Sequence, residues 1–355
     1  MRIAVISYHS SPLDPVGAGK SGGMSICISH LYQALSQYCE IDIFTCGKRG
    51  KTRLGSSINV IHLPCENLRK FSNTVIGYHE LRRYDIMHTH YWLSGLVGLF
   101  TKNHINIPWV HSLHTVEMLK TIRKDEMRIE VEEEIIKSCN LIISPTVKEA
   151  YEIKEMYPCV RIMTIPHGVD VQRFTPSADG HSKLLFVGRI DPIKGLDLLI
   201  DALRFLKRDI SLDVVGGASK GERNFESIKT YAGGLPVRFW GPVGHTELRQ
   251  HYQKSGMLIV PSYYESFGLV ALEAMASARP VIGFKDTGLA ETVGEDAGIL
   301  VKRNKRNLAE AISRLIGNKK LRHRLGETGR KKALNFEWNK IAGKYLKVYG
   351  EISED

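Results

Sequence analysis

Val260-Pro-Ser-Tyr-Tyr-Glu265-Ser-Phe-Gly-Leu-Val-Ala-Leu-Glu273 decides how this chain is read. A short apolar run, Met257–Val260, ends at Pro261, and a helix is expected to begin near Gly268. Strand, short loop and helix in that order form the repeating unit of a parallel α/β sheet. In such sheets ligands bind beyond the carboxyl ends of the strands, where this loop lies.

The same alternation runs outward in both directions. Apolar runs at Leu184–Val187, Leu212–Val215, Val237–Trp240, Val281–Phe284 and Ile299–Val301 are nearly continuous, as for parallel strands covered on both faces. An earlier series comprises Ile3–Ser7, Ile41–Thr45, Ile58–Leu63, Ile86–His88, Trp109–Leu113, Leu141–Ser144 and Arg161–Ile165. Met24, Ile28, Leu31 and Leu35 recur at helical spacing between the first two of these. The chain's 355 residues exceed what one hydrophobic core usually organises. Two doubly wound domains are therefore expected, 1–170 and 171–335, with the break near residues 168–182. A last helix over 336–355 is expected to rejoin the first domain.

Hydrophobic residues at 43% and charged residues at 25% are those of an ordinary soluble globular protein. No apolar run reaches the ~18 residues of a membrane span, and the first strand is too short for a signal peptide. The six cysteines show no CxxC pair and are read as buried reduced thiols of a cytoplasmic protein. His88/His90 and His111/His114 lack a cysteine or carboxylate pattern beside them, so no metal is expected. His88 and His90 are read as core histidines at a strand end. From Lys302 to Lys347, fifteen Lys+Arg face three acids, a net +12. Solvated helix faces account for this, and the alternative is peripheral contact with anionic membrane at its inner face. No nucleic-acid motif accompanies Tyr91-Trp92, so no nucleic-acid partner is expected.

The loops carry the chemistry. N–H groups at a helix start lack intrahelical partners and attract anions, and Gly268 lets a ligand approach the backbone. A diphosphate would lie on the N–H groups of Phe267, Gly268 and Leu269, after Ser266. Glu265 would take a sugar hydroxyl and Glu273 two ribose hydroxyls. A solvated helix start with dipole-complementing glutamates is an equal reading of this segment alone. Phe186-Val-Gly-Arg189-Ile-Asp-Pro-Ile-Lys194-Gly195 places two cations on a strand-to-helix turn. A forked guanidinium and a compact ammonium suit a diphosphate.

Together these segments resemble the retaining glycosyltransferases of family four, which have the two-Rossmann-domain GT-B fold. The resemblance rests on Glu265-x7-Glu273, the basic pair Arg189 and Lys194, Pro166-His-Gly-Val-Asp170 and Gly241-Pro-Val-Gly244. It implies that the loop holding Val243 takes the nucleotide base, with uracil the commonest in the family. Gly19-Lys-Ser-Gly-Gly23-Met, His88-Thr-His-Tyr-Trp-Leu-Ser-Gly95 and His111-Ser-Leu-His-Thr115 look like one branch. That branch holds the inositol-phosphate glycosyltransferases of mycothiol synthesis and the sucrose-phosphate synthases. It implies that Gly22 and Gly23 sit against the donor phosphates and that His114 contacts the transferred sugar. It also implies that Tyr91, Thr115 and Arg128 bind an acceptor phosphate; Arg128 is placed by Arg128-x3-Glu132. The chain departs at Ser25, where the inositol-phosphate enzymes have Asn. It departs again between Leu63 and His88, where Lys70 only loosely matches the usual lysine, and at His167, where Asn or Pro is commoner.

The expected activity is transfer of a hexose from a nucleotide-diphosphate sugar to a small polar acceptor, with no metal and no cofactor. The resemblance assigns catalysis to His114, Arg189, Lys194 and Glu265. Transfer to a lipid-linked acceptor at a membrane, and non-catalytic binding of a nucleotide sugar, are the alternatives. Gly17-Ala-Gly-Lys-Ser-Gly22 spells GxGxxG, yet about ten residues separate it from the first strand, where a dinucleotide turn must follow directly. A P-loop would need glycine at position 14, which is Asp14. A long loop closing over the donor fits better.

Overall fold

A computed structural model of the chain describes residues 1–14, 22–122, 124–177, 183–206, 210–217 and 224–354. The glycine-rich segment from Gly17 to Ser21 and residues 178–182 of the expected domain break lie outside the described residues. The described residues form two compact units, one of 1–14, 22–167 and 338–354, the other drawn from 168–337.

The first unit is built on an eight-stranded sheet. Its strands are β1 (Arg2–Ser7), β2 (Glu40–Cys46), β3 (Gly50–Leu54), β4 (Ile58–Leu63), β5 (Ile86–His90), β6 (Trp109–Ser112), β7 (Leu141–Ser144) and β8 (Ile162–Thr164). They lie in the order β3-β4-β2-β1-β5-β6-β7-β8, and only the pairing of β3 with β4 is antiparallel. Ile3 to Ser7 of β1 and all of β5 are buried, because helices cover both faces of the sheet. β3 escaped the sequence reading: Gly50 to Arg53 are exposed, so no apolar run marks this edge strand.

The helix Gly23–Leu35 buries Ile28, Leu31 and Leu35 on the side their spacing anticipates. Against it packs the last helix, Trp338–Glu354, which buries Trp338, Ile341, Ala342, Tyr345, Val348, Tyr349 and Ile352 along one stripe. Trp338 stacks on His30, ring centroids 5.8 Å apart. Each large side chain so buried contributes roughly 1.5–3 kcal/mol.

The second unit holds six parallel strands. They are β9 (Leu184–Val187), β10 (Leu212–Val215), β11 (Val237–Gly241), β12 (Met257–Val260), β13 (Val281–Phe284) and β14 (Gly298–Val301), ordered β11-β10-β9-β12-β13-β14. One apolar core forms around Leu184, Phe186, Ile200, Ile259 and Ile312, and another around Leu185, Leu258, Phe267, Leu272 and Tyr252. β9 and β12 are neighbours, so the loops after them, which carry Arg189–Lys194 and Glu265, leave the sheet side by side.

The reading of the thiols as buried holds for Cys27 and Cys39 and is corrected at the other four: Cys46 and Cys139 are half-buried, and Cys65 and Cys159 are exposed on loops.

Candidate functional site

In the second unit the two loops are tied together. Asp191 caps a turn of 3-10 helix, Pro192–Lys194, by accepting from the Ile193 N–H at 3.0 Å. The Tyr263 N–H donates to the Ile193 carbonyl at 2.8 Å. Lys194 Nζ then reaches Glu265 Oε2 at 2.8 Å. Gly195 permits this approach. It is left-handed (φ +65°), and a Cβ there would lie 2.1 Å from the Pro261 carbonyl oxygen. Arg189 sits at the mouth of the turn, its side chain 55% exposed and 3.5 Å from Asp191.

Gly268, also left-handed (φ 92°), caps the helix Leu269–Ala276. The first N–H groups of that helix therefore follow directly on Phe267 and Gly268. Phe267 is buried, and its carbonyl accepts from Thr292 Oγ1 at 2.6 Å, which holds the helix start in place. Ser266 and Leu269 are partly buried beside it. Gly288 was not singled out in the sequence: its N–H donates to the Glu265 carbonyl at 2.8 Å, buttressing the loop from β13.

Glu273 lies one turn into the helix and is only 7% exposed. Tyr252 Oη donates to its Oε2 at 2.7 Å. Burial pushes the Glu273 carboxyl up to about 7, against the opposing pull of the Tyr252 hydroxyl and of Arg173. Val243 is partly buried in the loop after β11.

In the first unit, the carboxyl ends of β5 and β6 gather the remaining residues. Tyr91 and His114 are two of the four described non-glycine residues with positive φ (73° and 61°). Such strain persists where the surroundings over-determine it, often at functional sites. His114 Nε2 lies 2.9 Å from His90 Nδ1, and its ring stacks on His167 with centroids 5.7 Å apart. Burial, then the neighbouring His167, pushes its imidazole well below the ordinary value and keeps it neutral. His90 Nε2 contacts Tyr32 Oη at 2.7 Å, and His88 Nδ1 contacts Tyr349 Oη at 2.6 Å. His88 and His90 are thus satisfied core histidines, as the sequence reading has them.

Arg128, Tyr91 and Thr115 meet. Arg128 Nη1 donates to Tyr91 Oη at 3.1 Å, Nη2 donates to Thr115 Oγ1 at 2.7 Å, and the guanidinium carbon stands 4.7 Å from the Tyr91 ring centre. Two acids hold Arg128 as well, Glu132 and Glu117. Glu132 was visible as a spacing partner; Glu117 was not, since nothing in its local sequence points to a distant arginine. Ser25 is buried and donates to Ser10 Oγ at 3.0 Å. Gly22 and Gly23 open the helix Gly23–Leu35, with open space where a Gly22 Cβ would stand. Lys70 is exposed on the helix Leu68–Arg82.

Two doubly wound units, with candidate residues on the loops at carboxyl strand ends or on the helices that follow them, make up a GT-B fold. The family model "Glycosyltransferase Family 4" matches residues 21–173 and "Glycosyl transferases group 1" matches residues 170–332. D-inositol 3-phosphate glycosyltransferase of Corynebacterium jeikeium (strain K411) is 32% identical over 99% of this chain and 97% of its own. That of Actinosynnema mirum is 32% identical over 99% and 98%. Sucrose-phosphate synthase of Thermosynechococcus elongatus superposes with a TM-score of 0.88 at 29% identity, covering 99% of this chain and 98% of its own. The chain belongs to glycosyltransferase family four.

Proposed function

We propose that the chain moves a hexose from a uridine-diphosphate sugar to a hydroxyl of a small polar acceptor, with the anomeric configuration retained and no metal required. The observation that carries the donor reading is the joined pair of loops: Lys194 on Glu265 at 2.8 Å, beside the Gly268-capped helix start. In this reading the second unit holds the donor: the diphosphate lies on the N–H groups of Phe267, Gly268 and Leu269 with Arg189 and Lys194 about it, Glu265 takes the sugar, Glu273 the ribose hydroxyls and Val243 the base. The acceptor is held by Ser25, Tyr91, Thr115 and Arg128. The named relatives act on inositol 3-phosphate or make sucrose phosphate, which supports a cyclitol or sugar as acceptor class.

The acceptor oxygen attacks the anomeric carbon on the face from which the diphosphate leaves. The C–O bond to the diphosphate breaks, and the departing phosphate oxygen takes the acceptor proton. Rate then comes from positioning and from stabilising charge on the leaving diphosphate. Fixed cations serve where other enzymes use a metal.

A panel of nucleotide sugars, assayed for nucleotide release with and without cyclitol acceptors and followed by mass spectrometry, tests this. Proton NMR of the product reads the anomer. An inverted product, or release that stops in excess EDTA and returns with Mg²⁺, sinks the mechanism. Release from no nucleotide sugar sinks the donor assignment.

A further inference from the structure

We propose that Glu117 sets the acceptor class: the site at Tyr91, Thr115 and Arg128 takes an uncharged polyol and excludes a phosphorylated one. This rests on the reading of those three residues as acceptor-binding.

A guanidinium has five N–H donors in a planar fork. In Arg128, Nε donates to Glu132 Oε1 at 2.7 Å and Nη1 donates to Tyr91 Oη at 3.1 Å. Nη2 donates to the Thr115 carbonyl at 3.1 Å and to Thr115 Oγ1 at 2.7 Å. Nη1 also stands 2.8 Å from Glu117 Oε2, an ion contact outside hydrogen-bond angles. Every nitrogen of the fork therefore has a hydrogen-bond partner from the protein itself. An arginine that binds phosphate turns two parallel N–H groups to the anion. Here a carboxylate already stands beside them.

That carboxylate is fixed. Glu117 Oε1 accepts from the Asp125 N–H at 3.2 Å, and Lys120 Nζ lies 2.5 Å from Oε2. The Glu117 N–H donates to Glu132 Oε2 at 2.7 Å, locking the two acids to one another. The side chains of Glu117, Glu132 and Arg128 are 2%, 3% and 7% exposed. Arg128 and Lys120 balance Glu117 and Glu132, so the cluster sums to zero charge. A phosphate dianion placed against it would face the Glu117 carboxylate across a poorly solvated gap, with the charges of Arg128 and Lys120 already matched by the two acids. A polyol meets no such repulsion. Tyr91 and Thr115 accept Arg128's hydrogen bonds and keep their own O–H groups to donate to its hydroxyl oxygens.

The test is calorimetric titration of inositol 3-phosphate into UDP-loaded protein. Wild type and Glu117→Asp, which keeps the charge, should show no saturable binding up to roughly 10 mM, the limit of useful affinity. Glu117→Gln, which keeps the shape and removes the charge, should bind at least ~tenfold more tightly than wild type. Glu117→Ala takes its place if that variant does not fold, as judged by circular dichroism. Micromolar binding by wild type, or a neutral variant no tighter than wild type, overturns the proposal. UDP binding is read first. Its absence in wild type sinks the donor reading alone, and the phosphate titration, run on unloaded protein, still decides the role of Glu117.

Discussion

At Glu273 a single proton links stability to ligand binding. Unfolded, this side chain loses its proton in the ordinary glutamate range; folded, it keeps it up to about 7. The stabilisation linked to this group is whole below the unfolded value and is lost as pH rises through the folded one, because only the unfolded state then gains by ionising. A shift of this size corresponds to ~3 kcal/mol at most. Glu273→Gln stays neutral and still accepts from Tyr252. Between about pH 5 and about pH 8 its melting temperature should therefore hold while that of wild type falls relative to it. Parallel curves would remove the argument. Ribose hydroxyls donating to Glu273 favour the carboxylate, so UDP binding at about pH 6 should release a proton. Calorimetry in two buffers of different ionisation enthalpy measures that release, and identical enthalpies would sink the ribose contact.

Lys194 and Gly195 make separable predictions at the same scale. Lys194→Ala should lower turnover at least roughly a hundredfold, the loss expected when one preorganised charge-stabilising donor is removed. Near-normal turnover would end the leaving-group argument. Gly195→Ala keeps the cation but drives a Cβ to 2.1 Å from the Pro261 carbonyl oxygen, so the two loops must part. About 1–3 kcal/mol of stability should go with it, read from a urea midpoint. The two glycine contacts show what the sequence withheld. Gly268 and Gly195 were legible as turn residues, but what a side chain would meet there, Leu289 at Gly268 and the Pro261 carbonyl at Gly195, lies on other segments. Glu117 was silent for the same reason: its function is a contact, and contacts are tertiary.

At the scale of elements, legibility followed burial. Leu184–Val187, Leu212–Val215, Met257–Val260 and Val281–Phe284 matched the expected strands because both faces are covered and the residues are apolar throughout. Edge strand β3, Gly50-Lys-Thr-Arg-Leu54, is polar because water covers it. The helix Trp338–Glu354 was legible as a helix, and its stripe of Trp338, Ile341, Tyr345 and Tyr349 explains why it packs in the first unit. Tyr349 does more than fill space there. Its hydroxyl stands 2.6 Å from His88 Nδ1, and His88 Nε2 is 3.0 Å from Ser112 Oγ, all of it buried. Burial pushes the His88 imidazole well below its ordinary value, so a neutral ring must be satisfied by neutral partners. Tyr349→Phe removes one of the two hydroxyls on His88 Nδ1, Tyr32 Oη at 2.9 Å being the other, and should cost roughly 0.5–1.5 kcal/mol. Tyr349→Leu should cost more, since ring volume goes too. Equal urea midpoints for Tyr349→Phe and wild type would show the hydroxyl to be idle.

At the scale of the whole molecule, the net charge of +11 invites a membrane reading, and the fold weakens it. The basic stretch Lys302–Lys347 is continuous in sequence but divided between the units, breaking at Glu337. Several of its cations serve the fold. Arg330 Nη1 donates to the carbonyls of Val171, Phe174 and Ala276 at 3.2, 2.9 and 2.7 Å. Arg322 Nη1 donates to the Leu315 and Ile316 carbonyls, at the end of the helix Lys305–Ile316. Arg303 pairs with Asp286, and Lys305 with Asp201. Among the described residues no helix is long and apolar enough to cross a membrane. Juxtamembrane binding needs cations gathered on one face, each worth about 1 kcal/mol near an anionic surface. Cations already bonded to carbonyls and carboxylates supply little of that. The chain should therefore stay in the supernatant when anionic vesicles are sedimented at about 0.15 M salt, where screening confines attraction to ~8 Å. Sedimentation that low salt strengthens and high salt abolishes would restore the lipid-linked acceptor. It would also assign other cations of the stretch, Lys320, Arg324 and Lys331 among them, to the membrane face.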